Sequence, residues 1–179
     1  MSNRRRHTNN LPKHMSKHDF VACFGGVYED SPWIAETGWD RKLAKKGITD
    51  HDTAEDIHKI LQDVVNDASK DKKLQLLLAH PDLAGKLAVA GKMSEESKAE
   101  QAGADLANCT PEEFTVFQTL NTEYKKKFGF PFIIAVRGYN RKEILEIFQK
   151  RRHNDRETEF SNALEQVHRI AYLRLTDIF

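Results

Sequence analysis

His80 is the first residue of the chain whose type and setting suggest chemistry. The stretch LLLAHPDLAG, residues 76–85, ends a leucine-rich run with His80 and Pro81. Because proline disfavours helical geometry in the residue before it, we expect a helix to end at His80. The carbonyl dipoles of a helix C-terminus favour a protonated imidazole, which suits a general acid. A histidine that merely caps a helix shows the same pattern, and the local sequence alone favours that simpler role.

The stretch SEESKAEQAGADL places three polar side chains on one predicted helix face. Ser94 is the expected N-cap, and Ser97, Glu100 and Gln101 follow at i, i+3 and i+4 of one face. A hydroxyl, a carboxylate and an amide in this arrangement can bind a small polar ligand. A solvated helix surface carries the same residue types, and the spacing by itself favours the surface.

Arg137 ends an apolar run, FPFIIAVRG, which extends from Phe130 to Gly138. Its β-branched and aromatic residues, bounded by Gly129 and Gly138, predict a short extended segment. No partner strand is visible, so its N–H and C=O groups would be available to a heterocyclic ligand. Arg137 either meets an anion there or is a surface arginine that closes a buried segment, and the sequence favours neither alternative.

Helix signals surround these residues. Thr53, Thr110 and Asn140 each precede an acidic residue three positions on, which is the pattern of a capped helix start. Pro111 in the first turn and Gly129 after the last turn mark both ends of one helix. Since helical patterns cover most of the chain, we predict an all-α fold, a single compact multi-helix bundle domain with one short extended segment.

Apolar stripes indicate which helix faces are buried. The predicted core positions are Ile57, Ile60, Leu61, Val64 and Val65, then Phe114, Phe117, Leu120, Tyr124 and Phe128, then Ile144, Leu145, Ile147 and Phe148, and finally Phe160, Leu164, Val167, Ile170 and Leu173. The last helix is expected from about Arg156 to Asp177. RRHNDR, residues 151–156, is interpreted as an exposed link before that helix.

Composition excludes several classes of function. The chain of 179 residues has a formal net charge of +1, which argues against nucleic acid or an anionic membrane as the main partner. It contains no apolar run long enough to span a bilayer and no signal-peptide core. Neither cysteine lies in a CxxC pair, so we expect a cytoplasmic protein without a disulfide framework. None of the eight histidines lies in an HExxH or HxH pattern, so no metal site is predicted.

The first 18 residues are basic and lack apolar periodicity. We predict a disordered N-terminal arm over residues 1–18 and a helical domain over residues 19–179. Translation starting at Met15 is compatible with this division. A role for RRRH in nucleic-acid binding or targeting remains an alternative.

Four of these motifs, in this order, resemble the 2-oxo-4-hydroxy-4-carboxy-5-ureidoimidazoline (OHCU) decarboxylase family of uric acid degradation. They are FGGVYEDSPWIAE, AHPDLAG, the S-x-x-E-Q of residues 97–101 and FPFIIAVRG, and the terminal YLRLTDIF also fits. The resemblance covers most of the chain after the arm. It implies an all-helical homodimer that uses no metal or organic cofactor and converts OHCU to (S)-allantoin.

The resemblance also implies roles for individual residues. The histidine of the HPDL motif, here His80, is implied to be catalytic, with Glu100 as its acidic companion. The residues implied to hold the substrate are Pro81, Ser97, Gln101, Phe132, Ile133, Ile134, Ala135, Val136 and Arg137. The alternative is a non-catalytic all-α module that binds a purine-like or ureido ligand; such a module would retain Ser97, Gln101 and Arg137 but would not require His80 and Glu100.

Overall fold

The computed structural model describes residues 11–43, 53–83, 106 and 109–179 of the chain. A 3₁₀ turn, Pro12–His14, precedes the first α-helix, and a π-helical turn, Trp39–Leu43, follows the second. The α-helices in these ranges are α1 (Lys17–Phe24), α2 (Trp33–Gly38), α3 (Ala54–Asn66), α4 (Lys70–Ala79), α5 (Pro111–Phe128), α6 (Arg141–Arg151) and α7 (Arg156–Ile178). The described ranges contain no strand, and the all-α prediction is confirmed. None of the helices in them is both long and apolar enough to span a bilayer.

The N-terminal helix begins slightly earlier than the predicted boundary at Asp19. The side chain of Ser16 accepts a hydrogen bond from the Asp19 backbone N–H at 3.2 Å, so α1 starts at Lys17. Met15, just before this cap, is buried. The division into an arm and a domain stays a prediction.

Capping boxes start three helices where the sequence predicts them. Thr53, Thr110 and Asn140 each accept a hydrogen bond from the backbone N–H three residues on, and the acidic side chain there bonds back to the cap's own N–H. At α5 the returned bond, from the Thr110 N–H to Glu113 Oε2, is 2.9 Å long. These reciprocal bonds satisfy donors that the first helical turn would otherwise leave unpaired. All three predicted starts are confirmed.

The first of two compact units comprises the residues up to Leu76 together with His168–Phe179. The rings of Phe20 and Phe24, in α1, lie 4.7 Å apart and are fully buried. Arg174 and Glu29 form a buried ion pair at 2.9 Å. The buried residues of α3 include the whole predicted stripe of Ile57, Ile60, Leu61, Val64 and Val65, so the expected face is confirmed.

The second unit, Leu77–Val167, contains a cluster of aromatic rings. Its members are the buried side chains of Tyr124, Phe128, Phe130, Phe132 and Phe148. The ring of Tyr124 lies 4.4–6.1 Å from the other four. Phe132 and Phe148 stack with 3.8 Å between ring centroids. Offset and edge-on contacts of this kind stabilise a core beyond the area that the rings bury.

The buried face of α7 differs in part from the predicted stripe. Val167 and Ile170 are buried as expected, whereas Phe160, Leu164 and Leu173 are only partly buried. The other buried positions of the helix are Glu159, Ala163, His168, Ala171, Arg174 and Leu175. The face therefore includes two charged side chains that a search for apolar periodicity does not register. They are compatible with burial because each has an ion-pair partner, Arg151 for Glu159 and Glu29 for Arg174.

Candidate functional site

His80 lies where helix α4 stops. The helix ends at Ala79, and the His80 N–H makes a shorter-range bond to the Leu77 carbonyl at 3.2 Å. This confirms the helix end predicted from Pro81. The His80 side chain is only 8% exposed, which is low for a residue that follows the last turn of a helix. The imidazole is therefore part of a packed site and not of an open surface.

Helix α5 anchors the residues that follow His80. Asn121 Nδ2 donates to the Leu83 carbonyl at 2.7 Å, and both residues are buried. One turn further along, Lys125 Nζ lies 2.6 Å from an Asp82 carboxylate oxygen. Two side chains at i and i+4 of one helix thus hold two successive residues of the HPDL motif. This double attachment limits the movement of His80 and Pro81.

The segment Phe132–Val136 is buried at every residue and forms neither helix nor strand. Its backbone groups bond instead to side chains and to a turn. The Ala135 N–H donates to Gln166 Oε1 at 3.0 Å, and the Ile133 carbonyl accepts from Arg151 Nη1 at 2.7 Å. The Val136 carbonyl accepts from the Tyr139 N–H at 3.0 Å. The segment expected from FPFIIAVRG is therefore buried without a strand partner among the described residues, and side chains of α6 and α7 bond to its backbone.

Arg137 follows directly after this buried segment. Its side chain is exposed, and the chain turns at Gly138, whose φ is +90°. A positive φ at this point suits glycine, which has no Cβ to clash. The guanidinium thus lies at the outer end of the segment, a position compatible with either of the roles that the sequence left open.

The other predicted site residues, Ser97, Glu100 and Gln101, lie outside the described residues. The structure accordingly describes His80, Pro81 and the Phe132–Arg137 segment of the predicted set. Of the residues that the structure describes, no three histidine, cysteine or acidic side chains form a group that could hold a metal ion.

A polar network behind the segment was missed by sequence reasoning. The sequence predicts an exposed link for RRHNDR, but Arg151 belongs to α6 and its side chain is only 11% exposed. Arg151 Nε donates to Glu159 Oε1 at 2.9 Å, and Asn154 Nδ2 donates to the other carboxylate oxygen at 2.8 Å. The exposed-link interpretation is therefore wrong for Arg151, because the fully buried Glu159 requires a cationic partner.

Tyr124 completes this network by donating its phenolic O–H to Glu159 Oε1. Burial raises the pKa of Tyr124 well above its usual range, and the hydrogen bond to Glu159 raises it further. The phenol therefore stays protonated and acts as a donor. A charged residue in register with the buried positions 163 and 167 of α7 was the signal that could have identified Glu159.

A cavity of about 200 Å³ lies beside the same segment. It is lined by Ile134, Tyr139, Ile147, Arg151, Asn162 and Gln166. Two of these side chains, Arg151 and Gln166, are those that bond to the backbone of the segment. The contacts that hold the segment thus border open space beside Ile134.

Comparison with known proteins places these features in a family. The family model for OHCU decarboxylase matches residues 13–176. A Haloferax volcanii protein named 2-oxo-4-hydroxy-4-carboxy-5-ureidoimidazoline decarboxylase is 39% identical over 160 residues, which cover 89% of each chain. A protein of the same name from Halalkalicoccus jeotgali is 38% identical over 162 residues, covering 90% of this chain and 86% of that one.

Solved structures show the same relationship. The crystal structure of (S)-allantoin synthase superposes with a TM-score of 0.73 at 32% identity, covering 94% of this chain. This chain spans about half of that longer one, 52% of its length. An OHCU decarboxylase crystallised in the presence of (S)-allantoin gives a TM-score of 0.65 at 22% identity, covering 92% of this chain and 99% of that one. The second comparison supports the fold.

Proposed function

Because the chain belongs to the OHCU decarboxylase family, we propose that it converts 2-oxo-4-hydroxy-4-carboxy-5-ureidoimidazoline to (S)-allantoin in uric acid degradation. The enzyme is then a carboxy-lyase. The position of His80 is the main support for a catalytic site in this chain. The residue is buried at the end of α4, and α5 bonds to Asp82 and Leu83, which follow it in the same motif.

The chemistry of OHCU limits what the protein must supply. Its carboxylate is attached to a carbon that also bears a hydroxyl group, next to a carbon doubly bonded to a ring nitrogen. When carbon dioxide leaves, the electron pair of the broken bond delocalises onto this imine, and an enol-like intermediate forms. The substrate thus provides its own electron sink, and we propose that the enzyme needs no metal or organic cofactor.

In this mechanism His80 takes the proton of the substrate hydroxyl as the carbon–carbon bond breaks. The ring nitrogen that received the electron pair takes a proton from solvent, the hydroxyl carbon becomes a carbonyl, and the proton held by His80 must reach the neighbouring ureido-bearing carbon from one face only. Delivery from a fixed imidazole gives a single enantiomer, which in this proposal is (S)-allantoin. His80 suits this step because its burial and the anchoring of Asp82 and Leu83 keep it in one place.

The remaining predicted residues bind and orient in this proposal. Glu100 sets the tautomer of the His80 ring and raises its basicity. Pro81, Ser97 and Gln101 hold the substrate, together with Arg137, whose guanidinium suits a carboxylate or a ureido oxygen. The backbone of Phe132–Val136 supplies N–H and C=O groups to the heterocycle, a role supported by its burial without a strand partner among the described residues.

The decisive experiment follows freshly generated OHCU by circular dichroism with and without the full chain. We expect the protein to accelerate the decay and to yield (S)-allantoin. His80→Ala should abolish stereospecific turnover, whereas the matched variant at an exposed histidine, His153→Ala, should keep it. A wild-type protein that alters neither the rate nor the enantiomer would favour the non-catalytic binding module. Turnover by a chelator-treated sample tests the absence of a metal.

We further propose that the protein is a cytoplasmic homodimer. The family resemblance supports the dimer, and the balanced charge and the cysteine usage support the compartment. Light scattering during size-exclusion chromatography should give twice the 20.6 kDa of one chain. A mass of 20.6 kDa at micromolar concentration would disprove the dimer.

A further inference from the structure

Within the described ranges, the backbone of the Phe132–Val136 segment forms hydrogen bonds to side chains instead of to a neighbouring strand or helix turn. All five residues are buried, yet the segment belongs to no helix and pairs with no strand of the described residues. Buried N–H and C=O groups need partners, because leaving them unpaired costs about as much as a lost hydrogen bond. Side chains of α6 and α7 meet this need at Ile133 and Ala135.

The sequence predicts an extended conformation for this segment, and that conformation places the two bonds on one edge. In an extended backbone the N–H and C=O groups of residues i and i+2 point to one edge, and those of residue i+1 point to the other. Arg151 bonds to Ile133 and Gln166 bonds to Ala135, which is the i, i+2 relationship. The polar groups of Ile134 therefore face the opposite edge from these two side chains.

We propose that Gln166 and Arg151 are positioning residues that fix the backbone edge against which the substrate binds. They bond to one edge of the segment, at Ile133 and Ala135. The N–H and C=O of Ile134 lie on the opposite edge, called the front edge here, and face the heterocycle at a constant distance. This inference rests on the proposed function, since it assigns the front edge of the segment to OHCU. Neither side chain touches the substrate.

The surroundings of Gln166 make the hydrogen bond important. The cavity of about 200 Å³ borders Gln166, Arg151 and Ile134, so packing leaves the segment room to move on that side. Without an acceptor at position 166, the buried Ala135 N–H would have to find another partner. The segment would then shift toward the cavity, and its front edge would move away from the substrate.

Arg151 is the less suitable residue to test, because it also bonds to Glu159 and lies over the Phe132 ring at 4.5 Å. Gln166 is half-buried, and among the described residues its side chain bonds to the Ala135 N–H at 3.0 Å. Gln166→Leu removes the acceptor at similar size, and Gln166→Glu offers a carboxylate oxygen in place of the amide oxygen to accept the same N–H. Asn162→Leu is the matched control, one turn earlier on α7 and bordering the same cavity, because its 3.4 Å side-chain hydrogen bond goes to Glu159 and not to the segment.

The full-length variants are compared by steady-state turnover of OHCU and by inhibition with (S)-allantoin. We expect Gln166→Leu to raise KM and the (S)-allantoin inhibition constant about tenfold, with kcat changed less than threefold, because one backbone hydrogen bond to the ligand is weakened. Gln166→Glu should restore both constants to within about threefold of wild type. Asn162→Leu should leave them unchanged.

Two outcomes separate this inference from the function on which it rests. An active wild type whose KM is the same in Gln166→Leu and Asn162→Leu would overturn the positioning role and leave the decarboxylase intact. Failure of the wild type to turn over OHCU would overturn the proposed function instead. Should Gln166→Leu fail to fold, Gln166→Ala is measured in the same way, and an unchanged KM in that variant equally overturns the role.

Discussion

The phenolic oxygen of Tyr28 and Nδ1 of His168 are joined by a hydrogen bond of 2.8 Å, which links two buried residues that lie 140 positions apart in the chain. Burial raises the pKa of Tyr28 far above its usual range, so the phenol stays protonated. His58 in turn donates its Nε2–H to the His168 backbone carbonyl at 3.0 Å. Because burial lowers the pKa of His168, the folded unit holds it as a neutral imidazole at neutral pH.

This arrangement predicts a loss of stability in mild acid. Burial lowers the pKa of His168 to about 4, with a smaller contribution from the positive charges of His58 and Lys73. In the unfolded chain the pKa is about 6.5. As the pH falls from about 6.5 to about 4, the unfolded state takes up a proton that the folded state does not. The free energy of unfolding should therefore decrease by up to roughly 3 kcal/mol over this range.

Urea unfolding at pH 7 and pH 5 measures the effect. His168→Gln, which does not titrate, should unfold with a smaller pH dependence than wild type. His18→Gln, at a side chain that is 92% exposed, should keep the wild-type dependence. An unchanged pH dependence in His168→Gln would show that other groups are responsible.

A second prediction concerns the glycine that ends α5. Gly129 has a φ of +82°, in the left-handed region where a Cβ is strained. Gly129→Ala should therefore lower the free energy of unfolding by about 1 kcal/mol. The control is Gly26→Ala, because a Cβ at Gly26 meets no atom within 4 Å and its φ is not in that region. Thermal unfolding should show a lower Tm for Gly129→Ala and an unchanged Tm for Gly26→Ala. Equal shifts in both variants would contradict the conformational explanation.

The helix ends were predictable because their causes are local in sequence. Thr110 and Glu113 are three residues apart, and the cap they form needs no other part of the chain. Pro81 stops α4 for a similar reason, acting on the residue before it. One side of α3 was also predictable, since five apolar residues there repeat at helical spacing.

The support of the candidate site was not predictable in the same way. Arg151 and Glu159 belong to different helices, and Gln166 reaches a segment 31 residues away. Nothing local in RRHNDR distinguishes the mostly buried side chain of Arg151 from the exposed His153. Only the fold decides which cation meets the buried carboxylate, so periodicity could identify the helices but not the polar contacts between them.

That buried carboxylate gives a third prediction. Glu159→Gln would leave the Arg151 guanidinium, 11% exposed, without an anionic partner. Removing one member of a buried ion pair costs about 3–5 kcal/mol. Tyr124→Phe removes a single neutral donor to the same carboxylate and should cost only about 1 kcal/mol. Urea unfolding of both variants compares the two costs, and similar values would show that the charge of Arg151 is compensated by other groups.

The last prediction separates the two anchors of the HPDL motif. Asn121→Leu removes the buried 2.7 Å bond to the Leu83 carbonyl, whereas Lys125→Met removes a 2.6 Å ion pair at half-exposed side chains. The first change should cost about 1 kcal/mol, at the low end for a buried bond, because Asn121 Oδ1 has no hydrogen-bond partner among the described residues and its loss costs nothing. The second should cost less than about 1 kcal/mol, since exposed pairs contribute little.

Turnover should follow the same order. A looser Leu83 lets His80, three residues earlier, drift from its reactive position, and we expect kcat for OHCU to fall roughly tenfold in Asn121→Leu. Lys125→Met should stay within about twofold of wild type. High salt screens the Lys125–Asp82 pair but not the buried amide bond, so raising the salt concentration should reproduce the Lys125→Met result in the wild type. If Lys125→Met lowers kcat as much as Asn121→Leu does, Asp82 and not Leu83 is the point that holds His80.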